Sequence, residues 1–360
     1  MRILHIIHKP QNRGAETFAC QLSNHLKKRN HVVKVIAVYD GKADLPYKEE
    51  VMSLKASEAV RFYDFKAWYK LNLVVKEFKP DVVQANAGDT LKYAVLSKLL
   101  FKWKAPVVSR NASEVGRYLK STVQKSLNSF FYKRVDHIIS VSEASQKDIL
   151  KHFPFLKGRT EVIPVGIEER KNIIPVELKP IEKKHIIHVG GFSFEKNHQG
   201  LLKIFEKVLQ KNPEVQLHLI GGGPLKVEIE KKVQDLKLEG NISFYGYVEN
   251  PLPYIKAADV LVLPSIIEGL PGVLLEAMYC ETAVIAYDVG GISEIVSDTT
   301  GTLIKKNNEE EFAKAIINTL EWAKSRQTTK AHQMVKKHFM NEQIALKFVN
   351  SYEKIATQQQ

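Results

Sequence analysis

Short apolar runs alternate along the chain with longer stretches in which apolar positions recur every three or four residues. Residues 3–7 read as a strand, and residues 15–29, with Ala19, Leu22 and Leu26 at helical spacing, as a helix. Residues 32–38 predict the next strand. A helix at 71–78 then leads to a strand entered through Pro80-Asp81-Val82-Val83-Gln84. Further helices fall at 94–101 and 123–134, and further strands at 106–109, 138–141 and 161–164, with Ser142-Glu143-Ala144-Ser145 as a helix cap. Such alternation predicts a parallel sheet covered by helices on both faces.

Residues 167–183 break the rhythm. They are charged, contain Pro175 and Pro180, and read as a linker between a first domain, 1–166, and a second, 184–335. The second series has strands at 186–189, 216–220, 242–245, 260–264 and 283–286. Its helices fall at 201–209, 224–236, 252–257 and 273–279. From Glu309 onward the chain reads as helical, with a last segment, 336–360, that ends in the polar tail Gln358-Gln359-Gln360. Both series open alike, with Ile3-Leu4-His5-Ile6-Ile7-His8 and Ile186-Ile187-His188-Val189 each preceding a glycine-bearing loop. Two Rossmann-like, doubly wound α/β units, each starting from its central strand, account for this.

At 360 residues, 44% hydrophobic and 26% charged, the chain has the length and composition for two packed cores. No apolar run reaches the roughly 18 residues needed to cross a bilayer. The first residues read as a strand and not as a signal peptide. Cys20 and Cys280 offer no disulfide framework and suit a reducing cytoplasm.

Charge changes the picture more. Residues 1–165 hold 29 Lys and Arg against 15 Asp and Glu, so the first half carries the whole formal net charge of +13. Nucleic acid, an anionic membrane surface or an acidic glycan would each suit such a half, and a general solubility charge is the plain alternative. No nucleic-acid module is recognisable, so nucleic acid is not an expected partner. Two stretches mix cations with large apolar residues: Lys98-Leu99-Leu100-Phe101-Lys102-Trp103-Lys104 and Phe130-Phe131-Tyr132-Lys133-Arg134. Either they meet the inner face of a membrane, or their aromatics are core and their cations solvated.

Candidate chemistry concentrates in Pro264-Ser265-Ile266-Ile267-Glu268-Gly269-Leu270-Pro271-Gly272-Val273-Leu274-Leu275-Glu276-Ala277. A buried strand stops at Pro264, and a helix starts near Gly272. Amides at a helix N-terminus favour an anion such as a phosphate. Glu268 and Glu276 bracket that site, and a carboxylate accepts the two hydrogen bonds of a vicinal diol. The pairs His5/His8 and His185/His188 do not read as a metal site, because residues three apart on a strand point to opposite faces.

The Glu-x7-Glu spacing, with Pro-Ser before it and Glu-Ala after it, resembles the signature of family 4 retaining glycosyltransferases of the two-Rossmann-domain (GT-B) kind. Further segments match in order: Arg13-Gly14-Ala15-Glu16, Val141-Ser142-Glu143, Val162 to Ile167, Val189-Gly190-Gly191-Phe192 with Glu195-Lys196-Asn197, Leu219 to Pro224, Gly290 to Glu294, and Gly301. The resemblance implies two domains facing a cleft, the second holding a nucleotide-sugar (UDP- or GDP-linked) and the first an acceptor, either a glycan or a lipid-linked sugar. It implies hexosyl or related transfer with retention, without metal or cofactor, in cell-surface polysaccharide or glycolipid synthesis. The enzyme would be cytoplasmic or peripheral at the inner membrane face, and the last helix would return to the first domain.

By position, Glu268, Lys196 and Asn111 would be catalytic. The donor would be bound by Gly14, Gly190, Gly191, Lys196, Asn197, Val248, Glu268, Leu270, Pro271, Gly272, Val273 and Glu276. Arg110, Asn111 and Arg117 are the acceptor-side candidates. The sequence departs from the family pattern where a basic residue is usual and Gly191 stands here, and where a His usually follows the Pro-Val-Val strand. Arg110 or Asn111 is left to fill that second space. Two other readings stay open: a weakly active or non-catalytic nucleotide-sugar or polyanion-binding protein, and a sugar-nucleotide epimerase on the same fold.

Overall fold

A computed structural model describes residues 1–60, 64–321 and 326–357. The chain divides into two units, one formed by Met1–Glu168 with the segment from Asn341 onward, the other by Glu169–Met340.

The first unit has strands β1 (Arg2–Ile7), β2 (Val32–Ala37), β3 (Met52–Ser53), β4 (Val82–Ala85), β5 (Val107–Asn111), β6 (His137–Ser140) and β7 (Thr160–Val162). They form one sheet in the order β3-β2-β1-β4-β5-β6-β7, with every pairing parallel. Helices α1 (Gly14–Lys28), α2 (Phe65–Phe78), α3 (Gly88–Phe101), α4 (Thr122–Tyr132) and α5 (Glu143–His152) connect the strands. Caps set several starts. Asp64 accepts from the amide of Ala67 at 3.0 Å, which starts α2 six residues before its apolar periodicity shows. Ser142 caps α5 through the amide of Ser145. The sequence pattern marked that cap but missed the helix behind it.

The second unit repeats the plan with β8 (Lys184–Val189), β9 (Val215–Ile220), β10 (Ile242–Gly246), β11 (Val260–Leu263), β12 (Ala283–Asp288) and β13 (Thr302–Lys305). Their order is β10-β9-β8-β11-β12-β13, again parallel throughout. Its helices are α6 (His198–Lys211), α7 (Lys226–Asp235), α8 (Leu252–Ala257), α9 (Gly272–Tyr279), α10 (Glu309–Glu321) and α11 (Arg326–His338). In each unit the first strand is central and the order reverses beside it, between β1 and β4 and between β8 and β11. Ligands of such sheets bind beyond the strand carboxyl ends at that reversal.

The segment expected as one final helix, 336–360, is divided. Residues up to His338 finish α11 in the second unit, and α12 (Asn341–Thr357) belongs to the first. The polar tail 358–360 lies outside the described residues. The amide of Asn341 bonds the carbonyl of Ile167 at 2.9 Å, and its side chain donates to Glu168 at 2.7 Å. These bonds clamp the start of α12 where the chain first leaves that unit.

Two apolar clusters cover the two faces of the first sheet. One gathers Leu4, Ile6, Val83 and Val107 with α2, α3 and the end of α4. The other gathers Ile3, Val82 and Val108 with α1 and α12. β4, β9 and β11 are buried along their whole length, as parallel strands flanked on both faces must be. The two mixed cationic–apolar stretches are divided by the same packing. Trp103 is core, its indole donating to Ser97 Oγ at 3.2 Å, and Phe131 and Tyr132 are core as well. Leu99, Leu100 and Phe130 are exposed. Of the two readings left open for these stretches, Trp103, Phe131 and Tyr132 follow the one in which the aromatics are core. Among the described residues no helix is long and apolar enough to cross a bilayer.

Candidate functional site

In the second unit the loops after β8 and β11, on either side of the order reversal, are braced to each other. Asn197 Nδ2 donates to the carbonyl of Pro264 at 3.1 Å, and the amide of Ile266 donates to the carbonyl of Glu195 at 2.8 Å. Lys196 Nζ donates to Glu268 Oε1 at 2.6 Å. Asn197 adopts a left-handed φ of 54° and caps α6 through the amide of Gly200. Asn tolerates that conformation and its side chain caps well, so one residue turns the chain, starts the helix and holds the neighbouring loop.

The Glu268 loop is also supported from below. Lys306 Nζ donates to the carbonyl of Ile266 at 2.9 Å, and the amide of Gly291 to that of Gly269 at 2.7 Å. Gly290 has φ 59°, and a Cβ there would collide with the Glu268 carbonyl oxygen. Here glycine is a packing requirement. The sequence motif contained Gly290 but gave it no role.

Gly191 is different. A Cβ on it would meet only the carbonyl oxygen of Gly222, at 3.5 Å, and the residue is exposed. The absent basic side chain is therefore not excluded by the backbone. Around it the amide of Gly190 bonds Ile220 O, that of Phe192 bonds Gly222 O, and that of Gly221 bonds Gly246 O at 2.7 Å. These bonds line up the loops after β8, β9 and β10. Val248, half-buried, follows in the last of them.

Helix α9 begins at Gly272, with open space beside that residue. Its first-turn amides, including those of Gly272 and Val273, have no carbonyl of their own helix to bond. Leu270 and Pro271 are buried and fix the entry to the helix. The side chain of Glu276, half-buried, makes no hydrogen bond or ion pair among the described residues. Desolvation pushes its carboxyl up to about 7.

Sequence reasoning missed the support under Lys196. His188 is fully buried, bonds Val262 O through Nδ1 at 2.9 Å, and is pushed down to about 4 by burial. The His198 ring stacks on Phe192 with centroids 4.0 Å apart, meets His188 edge-on at 4.8 Å, and is pushed down to about 2 by burial. Two neutral imidazoles thus back the glycine loop. His185 points elsewhere, bonding His218 at 2.9 Å. His5 bonds Ser23 while His8 lies against Asp89. Each His-x-x-His pair is divided between two environments.

In the first unit Arg110 and Asn111 end β5. Asn111 Nδ2 donates to Ser140 Oγ and to Ser145 O, so its donors tie β5 to β6 and α5. Arg110 is 4% exposed, with its guanidinium 4.3 Å from the Phe18 ring centroid. Its Nε and Nη1 have no partner among the described residues, and burial pushes it down to about 10. Glu16, equally buried, accepts from Gln11 through Oε1 and leaves Oε2 without a partner among the described residues. Burial raises its carboxyl, while Arg110 is among the charges that lower it. This carboxylate was legible only as part of the Arg13 to Glu16 motif. Arg117 stands apart on an exposed turn, paired with Glu114 at 3.3 Å. Gly14 opens α1 with free space around it.

Comparison with known proteins follows the same division. Residues 12–171 match the model described as Glycosyltransferase Family 4, and residues 169–335 the one described as Glycosyl transferases group 1. The alpha-monoglucosyldiacylglycerol synthase of Streptococcus pneumoniae is 26% identical over 345 residues, covering 86% of this chain and 76% of that protein. A Campylobacter jejuni N-acetylgalactosaminyltransferase, named for a diphospho-undecaprenol-linked substrate, is 28% identical over 58% of this chain. The match spans 58% of its length, and 60% of that of an uncharacterized glycosyltransferase from Methanocaldococcus jannaschii. The Anabaena HepE structure in complex with UDP and glucose has the same fold, with TM-score 0.82 at 19% identity, covering 98% of this chain and 99% of that one.

Proposed function

The chain belongs to the group 1 glycosyltransferases of family 4, with their GT-B fold, and from that premise we propose that it moves a sugar from a UDP- or GDP-sugar to a glycan or lipid-linked acceptor with retention of configuration. The observation that carries this reading is the Lys196–Glu268 pair, held by cross-braced loops beside the N-terminus of α9 and Glu276. Lysine and helix amides suit a diphosphate, and two carboxylates suit hydroxyls of ribose and sugar. The relatives named for lipid and undecaprenol-linked substrates support an acceptor of that class.

In the reaction the anomeric carbon–phosphate oxygen bond breaks and the acceptor oxygen bonds that carbon on the same face. The departing diphosphate takes the acceptor proton. Lys196 stabilises the charge that grows on the leaving oxygens, the kind of preorganised contact that lowers the barrier most. Glu268 orients the transferred sugar, Glu276 holds the ribose, and the first unit takes the acceptor near Arg110. No step needs a metal ion. Donor hydrolysis followed by NMR tests this reading. The α-anomer as first-formed free sugar from an α-linked donor supports it, and a trapped glycosyl-enzyme or an epimerised nucleotide-sugar overturns it.

A further inference from the structure

Lys196 and Glu268 are occupied with each other, Nζ to Oε1 at 2.6 Å. Sugar transfer asks something else of both: the carboxylate meets hydroxyls, and the ammonium meets a diphosphate. A ligand group that takes Glu268 releases the ammonium, which then turns to whatever acceptor lies within reach.

His188 of β8 is that acceptor. It is fully buried, and its Nδ1 is 2.9 Å from the carbonyl oxygen of Val262. A carbonyl only accepts, so Nδ1 carries the proton and Nε2 presents a lone pair. No group among the described residues hydrogen bonds that nitrogen. A buried acceptor left in this way costs stability that a donor would restore. Burial, with the Lys196 charge adding to it, pushes the ring down to about 4, so the lone pair stays free of a proton at neutral pH.

Gly190 leaves the way between them open. A Cβ built there would have as its nearest neighbours His188 Nε2 at 3.2 Å and Lys196 Cδ and Cε at 3.3 and 3.4 Å. The lone pair and the lysine arm thus face each other across a space the width of a methyl group. Rotation about side-chain bonds carries Nζ toward Nε2 without backbone movement. His198 stands edge-on to the same ring, and both of its nitrogens also lack a partner among the described residues. No bond fixes which of them carries its proton, so His198 offers no committed acceptor.

We propose that His188 Nε2 is the second partner of Lys196: when a ligand hydroxyl takes Glu268, the ammonium turns to His188 and keeps its remaining N–H donors for the diphosphate. His188 is then a positioning residue for Lys196. The ligand's part rests on the sugar-transfer reading, whereas the turn itself depends only on Glu268 letting go.

Imidazole nitrogen NMR of the full chain tests the turn without any donor. Glu268→Ala releases Lys196, and the His188 Nε2 signal should move upfield, as that of a lone-pair nitrogen does on accepting a hydrogen bond. The shift should vanish in Glu268→Ala/Lys196→Met, which keeps the arm and loses the ammonium. It should vanish as well in Glu268→Ala/Gly190→Ala, whose methyl fills the gap; Gly190 is not among the left-handed glycines, so its backbone accepts alanine. Should Glu268→Ala fail to fold, Glu268→Gln keeps the shape, and its weaker hold on the ammonium gives a smaller shift in the same direction. A signal that stays put when Glu268 is replaced overturns the proposal. So does a shift that persists without the ammonium or with the gap filled, or one seen at His198 alone. Calorimetric titration with UDP- and GDP-sugars is read separately: absence of donor binding overturns the sugar-transfer reading and leaves the comparison of variants standing.

Discussion

Lys196 and Glu268, on loops from two different strands, are each other's partner: Nζ and Oε1 are 2.6 Å apart, with only 21% and 10% of their side-chain surfaces exposed. The lysine is thus pre-aimed by the carboxylate, and a diphosphate arriving there competes with it. Replacing Lys196 with Ala leaves Glu268 half-desolvated and unpaired. The expected cost is about 1–3 kcal/mol, below the value for a fully buried pair because both groups keep some water. Turnover should fall about a hundredfold or more, since charge on the leaving group loses its stabiliser. Urea denaturation and donor turnover on one preparation check both numbers.

Two glycines of the same site should respond oppositely. Gly290→Ala places a Cβ on the Glu268 carbonyl in a left-handed backbone, and should destabilise by about 2 kcal/mol or more while misplacing Glu268. Gly191→Arg enters open space and restores a cation that the family pattern has there. Its stability should stay within about 0.5 kcal/mol of wild type, and its donor affinity should rise by about tenfold, the order of one charge-assisted hydrogen bond. A loss of affinity in Gly191→Arg would show that the diphosphate lies elsewhere.

Under the proposed function, Glu276 makes donor binding depend on pH. Its carboxyl is raised to about 7 in the unliganded protein, and it accepts two diol hydrogen bonds only when ionised. Donor affinity should therefore rise as pH increases through about 7, and Glu276→Gln should remove that rise. The stability sign follows from the raised value. This carboxyl favours the fold below its unfolded value of 4.5, and that advantage is lost as pH climbs through about 7. Unliganded Glu276→Gln should accordingly be more stable than wild type at pH 8, by about 1–3 kcal/mol in thermal or urea unfolding.

Arg110 is a stability cost to which the proposed function gives a use at the acceptor. A buried guanidinium with unpartnered Nε and Nη1 is unfavourable, and apolar replacements of buried charge are often stabilising. Arg110→Met should gain about 1 kcal/mol or more in stability, leave donor binding unchanged, and raise the acceptor KM about tenfold or more. Donor titration with steady-state transfer separates the effects.

Most of the fold was legible because parallel strands buried on both faces read as apolar blocks, and Val82-Val83 or Val260-Leu261-Val262 need no context. The elements that were not legible lack that signal. β3 has two residues, β13 is half exposed, and α5 buries only Ser145 and Ile149, so its cap was its sole mark. Glu268, Glu276 and Lys196 of the candidate site were legible from local motifs. Their supports were not, because Gly290 under Glu268 and His188 on the carbonyl of Val262 are made by packing between segments distant in sequence.

Calorimetric titration of UDP-, GDP- and ADP-sugars into wild type and Lys196→Ala tests the central claim most directly. Saturating one site at about 100 times Kd also raises stability by about 2.7 kcal/mol, which a parallel melt reads. The account predicts that one nucleotide class binds the wild type, and that the variant weakens it about tenfold or more. No binding by any donor, or binding that the variant leaves unchanged, would contradict a nucleotide-sugar site at Lys196 and Glu268.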